Sequence, residues 1–231
     1  MDIQGRSAFI TGGQRGLGAA VASELLTRGA ERVYVTAREP NESTDPRVVA
    51  LSLDVTDDAS VAAAAEEAQD VSIVINNAGV AGGIPLLRTP VPGSAAVFET
   101  NVFGPVRIAQ AFAPILARHD ESALVNMLSV LSWLAGAGAY GASKAALWSV
   151  TNSLRLELRD QGTLVVGVHL DLADTDMSAR FADSVKTSPA VVASRVLDGI
   201  ERNEVEVLVD DVSRDVKARL DGPVEQLTWS L

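Results

Sequence analysis

The sequence predicts an α/β protein, a doubly wound parallel sheet of about seven strands with helices on both faces. Three observations carry this reading. Short β-branched runs alternate with longer alanine- and leucine-rich segments along most of the 231 residues. The run Val71 to Asn76 is almost wholly apolar, as expected of a central parallel strand covered on both sides. A glycine-rich turn, Thr11 to Gly18, joins the first such run to the first helical segment.

Taken in order, Ser7 to Thr11 reads as a strand and Gly16 to Arg28 as a helix closed by Gly29. Valine-rich Glu31 to Ala37 is the second strand and Arg47 to Leu53 the third, followed by a helix started by Asp57 and running through Ala68. After Val71 to Asn76, glycine and proline mark Gly79 to Gly93 as loop. A long helix is expected over Ser94 to Arg118, bent by Pro105. Ala123 to Ser129 and Thr163 to Leu170 are further strands flanking a helix from Tyr140 to Arg159. Glu204 to Asp210 is a last strand before a C-terminal helix. One domain, residues 1–231, accounts for all of these elements. Right-handed crossovers bring the strand ends to one edge, so Thr11, Arg38, Asp54, Asn77, Ser129 and the loop after Leu170 should converge there.

Composition narrows the function. Thirty acidic residues against 19 basic ones give a net charge of -11, which repels a polyanion, so nucleic acid is not an expected partner. Without cysteine there is no disulfide, thiol catalysis or cysteine metal site. The two histidines, His119 and His169, lie far apart, against a zinc site. No signal-peptide pattern and no membrane-length apolar run are found, so a cytoplasmic protein that does not enter a membrane is expected.

The chemistry-bearing residues sit at the expected strand ends. In Thr11-Gly12-Gly13-Gln14-Arg15-Gly16-Leu17-Gly18, the glycines let the backbone approach a diphosphate, while the helix that follows offers free N–H groups. No acid stands at the end of the second strand to hold a ribose hydroxyl. Arg38 does, and Arg15 adds a second guanidinium in the turn, which favours NADP(H) over two merely solvated arginines. Asp54, with Val55 beside it, can hold an adenine amine or cap the helix that starts near Asp57. In Asn76-Asn77-Ala78-Gly79 an asparagine can pin the neighbouring strand, and the small residues leave room for a cofactor. Tyr140 and Lys144, four apart, share a helix face. A cation there stabilises a phenolate, so the phenol, ordinarily of pKa about 10, can exchange a proton nearer neutral pH.

These motifs, in this order, resemble the short-chain dehydrogenase/reductases of the small single-domain type. The resemblance spans the chain from Ser7 to the helix after Asp211 and implies a Rossmann fold binding NADP(H). It also implies roles for individual residues. Tyr140 would be the general acid/base of a carbonyl reductase or alcohol dehydrogenase. Lys144 would lower the Tyr140 pKa and bind the nicotinamide ribose, and Ser129 would hold the substrate oxygen. Asn101 would hold a proton-relaying water, and Thr175 in Asp174-Thr175-Asp176-Met177 would contact the nicotinamide amide. The partners implied are a small-molecule carbonyl or alcohol and further copies of the chain, as a homodimer or homotetramer pairing through the two long helices.

Two stretches depart from the family pattern. Ser129 and Tyr140 are 11 apart, a short interval in which Gly136 and Gly138 can take a tight path, and Leu170-Asp171 stands where Pro-Gly is common. His169 is expected to pack locally rather than act as acid or base. Trp133, Trp148 and Phe181 suit either pocket wall or core. Asp176 to Ser188 is expected to be a short, polar lid over an open pocket. Two other functions suit the same residues: an NADP-binding regulatory protein without turnover, and a reductase of C=N or C=C bonds.

Overall fold

The computed structural model describes residues 1–229. Seven strands, β1 (Ser7–Ile10), β2 (Arg32–Ala37), β3 (Val48–Ser52), β4 (Val71–Asn76), β5 (Ser122–Met127), β6 (Thr163–His169) and β7 (Glu206–Leu208), form one parallel sheet in the order β3-β2-β1-β4-β5-β6-β7. This is the Rossmann arrangement. Chain order reverses between β1 and β4, which opens a crevice at their carboxyl ends.

The sheet divides its side chains by pleat. On one face Ile10, Val35, Ile75 and Val125 pack with Val21 and Leu25 of α1 (Gly16–Thr27) and Val196, Leu197 and Ile200 of the helix Pro189–Glu201. On the other, Phe9, Val74 and Leu124 meet α2 (Asp58–Glu67) and a helix carrying Ile108, Phe112 and Leu116. Phe9 and Phe112 pack with tilted rings, centroids 4.5 Å apart. Because β1 and β4 are buried on both faces, their sequences are continuous apolar runs rather than alternating ones.

The expected Ser94–Arg118 helix is three segments: α3 (Val91–Phe98), a π-helical turn (Glu99–Phe103) and α4 (Gly104–Leu116). The irregularity therefore precedes Pro105, which sits in the first turn of α4 where its missing N–H is tolerated. The π turn places Asn101 inward, almost fully buried. Helix α3 begins at Val91, inside the expected loop, with Pro92 in its first turn. Helix α5 (Gly138–Glu157) is held to the sheet by a buried chain of side chains: Asn76 Nδ2 donates to Asn126 (2.9 Å), and Asn126 Nδ2 donates to Thr151 (2.9 Å). Helix α6 is Pro189–Glu201, and α7 (Asp211–Lys217) is capped by Asp210, whose carboxylate accepts from the Ser213 N–H at 2.8 Å. The expected last strand is thus trimmed to three residues because Asp210 serves the helix. Among the described residues no helix is long and apolar enough to cross a membrane.

Candidate active site

The phosphate turn is shaped by contacts only glycine allows. A Cβ on Gly18 would run into the Gly12 carbonyl and stand 2.7 Å from Asn77 Nδ2, and one on Gly13 would stand 2.9 Å from Val35 Cβ. The β2 end holds the turn from below: Gly13 N–H donates to Thr36 O (3.0 Å) and Gly12 N–H to Thr36 Oγ1 (3.3 Å). Thr11 Oγ1 accepts from the N–H groups of Asn77 and Ala78, both at 2.9 Å, and Asn77 Nδ2 donates to Thr11 O and Gly12 O, both at 3.0 Å. The asparagine after β4 thereby pins the β1 turn, as its place in the sequence predicts.

Arg15 precedes α1 and offers no side-chain cap, so the first-turn N–H groups of the helix remain for an anion. Arg15 and Arg38 are exposed, and neither guanidinium has an ion pair or hydrogen bond among the described residues. Gln14 ties the turn to the β2–β3 loop through paired bonds with the Asn41 backbone, 2.6 and 2.8 Å. Asp54 accepts from Thr56 N–H (2.9 Å) and Thr56 Oγ1 (2.7 Å), and these bonds, with the nearby Arg38 charge, hold its carboxyl below the usual range. The α2 cap is Asp57 instead, accepting from Ala59 N–H at 2.9 Å. Val55 lines the same side, against Gly104. A backbone cradle, free helix N–H groups and two unpaired cations suit a dinucleotide diphosphate bearing a further phosphate.

The other half of the site is assembled around α5. Lys144 is buried and its Nζ donates to Met127 O at 2.6 Å, 5.8 Å from the Tyr140 ring centroid. Burial pulls its pKa down to about 8. Burial also pushes the Tyr140 phenol up to about 12, opposed by the Ser129 side chain that faces it. The phenol is therefore a protonated donor at neutral pH beside a hydroxyl and a cation, and burial raises its pKa where the Tyr140–Lys144 spacing predicts a lowering. Ser129 Oγ accepts from the Leu131 N–H at 3.1 Å, which leaves its own proton to donate elsewhere.

Asn101 joins the pieces. Its Oδ1 accepts from Val80 N–H (2.8 Å), and its Nδ2 donates to Val80 O (2.9 Å) and Ser143 Oγ (3.0 Å). Ser143 in turn donates to Tyr140 O at 2.7 Å. The Asn101 side chain thus locks the loop after β4, next to Gly79, against the first turn of α5. Thr175 begins a capped turn with Ser178, and its methyl lies 3.4 Å from where a Cβ of Gly16 would stand, so the loop after β6 meets the phosphate turn.

The two irregular stretches resolve differently. Val130 N–H donates to Leu170 O (2.8 Å), keeping the sheet register past the strand ends. The Asp171 N–H donates to Asp210 Oδ2 at 2.8 Å, and both carboxylates line a cavity of about 310 Å³ with Val212 and Thr187. The carboxyl of Asp171 is raised by burial and by Asp210, which lines the same cavity. His169 is fully buried, stacked on Trp133 at 3.8 Å, with Nδ1 3.1 Å from Ser129 O. Burial lowers its pKa to about 4, so it is a neutral packing group, as expected. Trp133 packs with Val130 and Val216 beside Trp148, in core rather than in a pocket. Sequence reasoning misses the tail, Leu227 to Trp229, which pairs with Ala135 just ahead of Tyr140. Its only signal is the alternation of apolar Leu227 and Trp229 around Thr228.

The family model of the short chain dehydrogenases matches residues 6–186. This chain belongs to that family. Short-chain dehydrogenases bind a nicotinamide cofactor, and the fold and the glycine cradle agree with that membership. The chain is 35% identical over 206 residues to the 1-deoxy-11-beta-hydroxypentalenate dehydrogenase of Streptomyces exfoliatus, covering 77% of this chain and 70% of that protein. A short chain dehydrogenase from Burkholderia cenocepacia J2315, solved in complex with NADP, superposes with a TM-score of 0.92 at 34% identity, covering 98% of this chain and 97% of the other. One from Burkholderia phymatum in complex with NAD reaches a TM-score of 0.84 at 24% identity, over 100% and 99% of the two chains, a likeness of fold alone.

Proposed function

We propose that this short-chain dehydrogenase is an NADP(H)-dependent carbonyl reductase, or alcohol dehydrogenase in reverse, with nucleotide and substrate sites in one domain. The observation that carries the reading is the meeting of Tyr140, Ser129 and buried Lys144 at the carboxyl ends of β5 and β6. NADPH, when bound, would supply a hydride for the carbonyl carbon. Tyr140 gives its proton to the carbonyl oxygen, so ketone or aldehyde becomes alcohol, and Ser129 donates a hydrogen bond to the same oxygen as charge develops there. The Lys144 cation favours the phenolate that remains, and Asn101 keeps the loop and α5 in register for a water-borne proton to return. Arg15 and Arg38 hold the extra phosphate, Asp54 and Val55 the adenine edge, and Thr175 the nicotinamide end. The NADP complex of the Burkholderia cenocepacia relative supports the choice of nucleotide. Exposed Val91, Phe103 and Leu156, on α3, the π turn and α5, support pairing of copies through these helices.

The test follows NADPH and NADH absorbance across a panel of ketones, aldehydes and alcohols. Oxidation of NADPH by a carbonyl is expected, and Tyr140→Phe should lower kcat by about 10²- to 10⁴-fold while nucleotide binding persists. Full activity in that variant would sink the mechanism. NADPH binding without turnover across the panel would favour a regulatory protein, and turnover confined to imines or enones would favour a C=N or C=C reductase.

A further inference from the structure

The segment between Ser129 and Tyr140 ends in Leu134-Ala135-Gly136-Ala137-Gly138-Ala139, which has almost no side-chain bulk to enclose a substrate beside the tyrosine. The tail fills this deficit. Ala135 N–H donates to Leu227 O and Trp229 N–H donates to Ala135 O, both at 2.8 Å, as a short parallel bridge. Gly136 permits the approach: its φ is +104°, and a Cβ there would stand 3.0 Å from Trp229 O. The Trp229 indole then meets Phe181 edge to face, centroids 5.8 Å apart and planes at 89°. Phe181 lies in the loop after β6, six residues past Thr175, with its N–H bonded to Ser178 O at 2.9 Å and the Arg180 guanidinium 4.6 Å from its ring. The tail therefore bridges the two loops that flank Tyr140.

Both rings are only half-buried. A brace alone would be expected to bury its aromatic pair, as Trp133 and His169 are buried beneath Ser129. Rings left partly open, next to an alanine and glycine segment, offer apolar surface to a ligand. We propose that Trp229 and Phe181 form the apolar wall of the substrate site and set its preference for carbonyl compounds carrying an aryl or other bulky apolar group. The proposal rests on the reductase reading, and Tyr140 keeps its role.

The test compares wild type, Trp229→Ala, Trp229→Phe and Phe181→Ala on acetophenone-type aryl ketones and on short aliphatic ketones, with NADPH affinity measured in parallel. The expected result is a loss of about tenfold or more in kcat/KM for aryl ketones in both alanine variants, carried by KM. Short ketones and NADPH affinity should be little changed, and Trp229→Phe should recover most of the loss. An equal fall for both ketone classes, or no change in either, overturns the wall. A second arm needs no turnover: trypsin cleavage at Arg180 and Lys186 in the ligand-free protein should quicken in Trp229→Ala and return towards the wild-type rate in Trp229→Phe. An unchanged cleavage rate overturns the contact. If wild type reduces no carbonyl, the reductase reading fails, and the trypsin arm still decides whether Trp229 holds the loop.

Discussion

From β1 to β3 the active face is held through backbone N–H groups, met by short threonine hydroxyls and a carbonyl. Thr36 receives two turn N–H groups, Thr11 receives two more from the end of β4, and the glycines bring main chain within contact distance of main chain. Around β5, β6 and α5 the same face is held by side chains. Asn101 reaches Val80 and Ser143, Lys144 reaches Met127, His169 supports Ser129, and Trp229 meets Phe181. Such a cradle suits a diphosphate, which NAD and NADP share. A side-chain assembly can be varied one residue at a time, and there the proposed chemistry and substrate preference would reside.

The largest expected effect comes from spoiling the backbone half. Gly18→Val places branched carbons against the Gly12 carbonyl and Asn77, and should weaken nucleotide binding by about a hundredfold or more, read by NADPH fluorescence titration. Gly162, at φ +78° with nothing within 4 Å of a Cβ, is the control: Gly162→Ala should cost about 1 kcal/mol of stability and leave binding alone. Equal loss of binding in both variants would break the comparison.

Next in size is the Arg15→Ala, Arg38→Ala double variant. Losing two charge-assisted contacts should weaken NADPH binding by about 10- to 100-fold and NADH binding little, in the same titration. Equal weakening of both nucleotides would remove these arginines from phosphate recognition.

The smallest effect concerns Lys144 and tests the side-chain half. Its folded pKa, about 8, lies below its ordinary 10.5, so the folded state binds this proton more weakly than the unfolded chain. Its stability cost is therefore full below about pH 8 and is relieved as pH rises from about 8 to 10.5. Lys144→Met should raise stability at pH 7 by about 1 to 3 kcal/mol, seen as a higher Tm, while turnover is lost. In the wild type, carbonyl reduction should fall as pH rises through about 8, where the cation is lost. A destabilised methionine variant, or reduction indifferent to pH between 7 and 9.5, would refute the buried-cation account.

Legibility in the sequence follows the same division. Strand and helix order, the glycine turn and the Tyr140–Lys144 pair are local patterns, and the sheet places them as expected. The split of the long helix is not legible: the π turn at Glu99–Phe103 turns Asn101 to partners distant in the chain, Val80 and Ser143. Asp54 has two readings in the sequence, and the cap of α2 falls to Asp57. Trp133 and Phe181 looked alike in sequence, yet one stacks on His169 in core and the other meets the tail.

The sequence by itself determined the order of strands and helices, the residue types at each strand end and the family, because period, glycine placement and helical spacing act over a few residues. Only the tertiary structure decided that Asp171 turns to Asp210, that His169 lies neutral beneath Ser129, and that the tail closes against Ala135. Those outcomes depend on burial and on contacts between residues distant in the chain. Their free energies exist only once the sheet has brought the loops together.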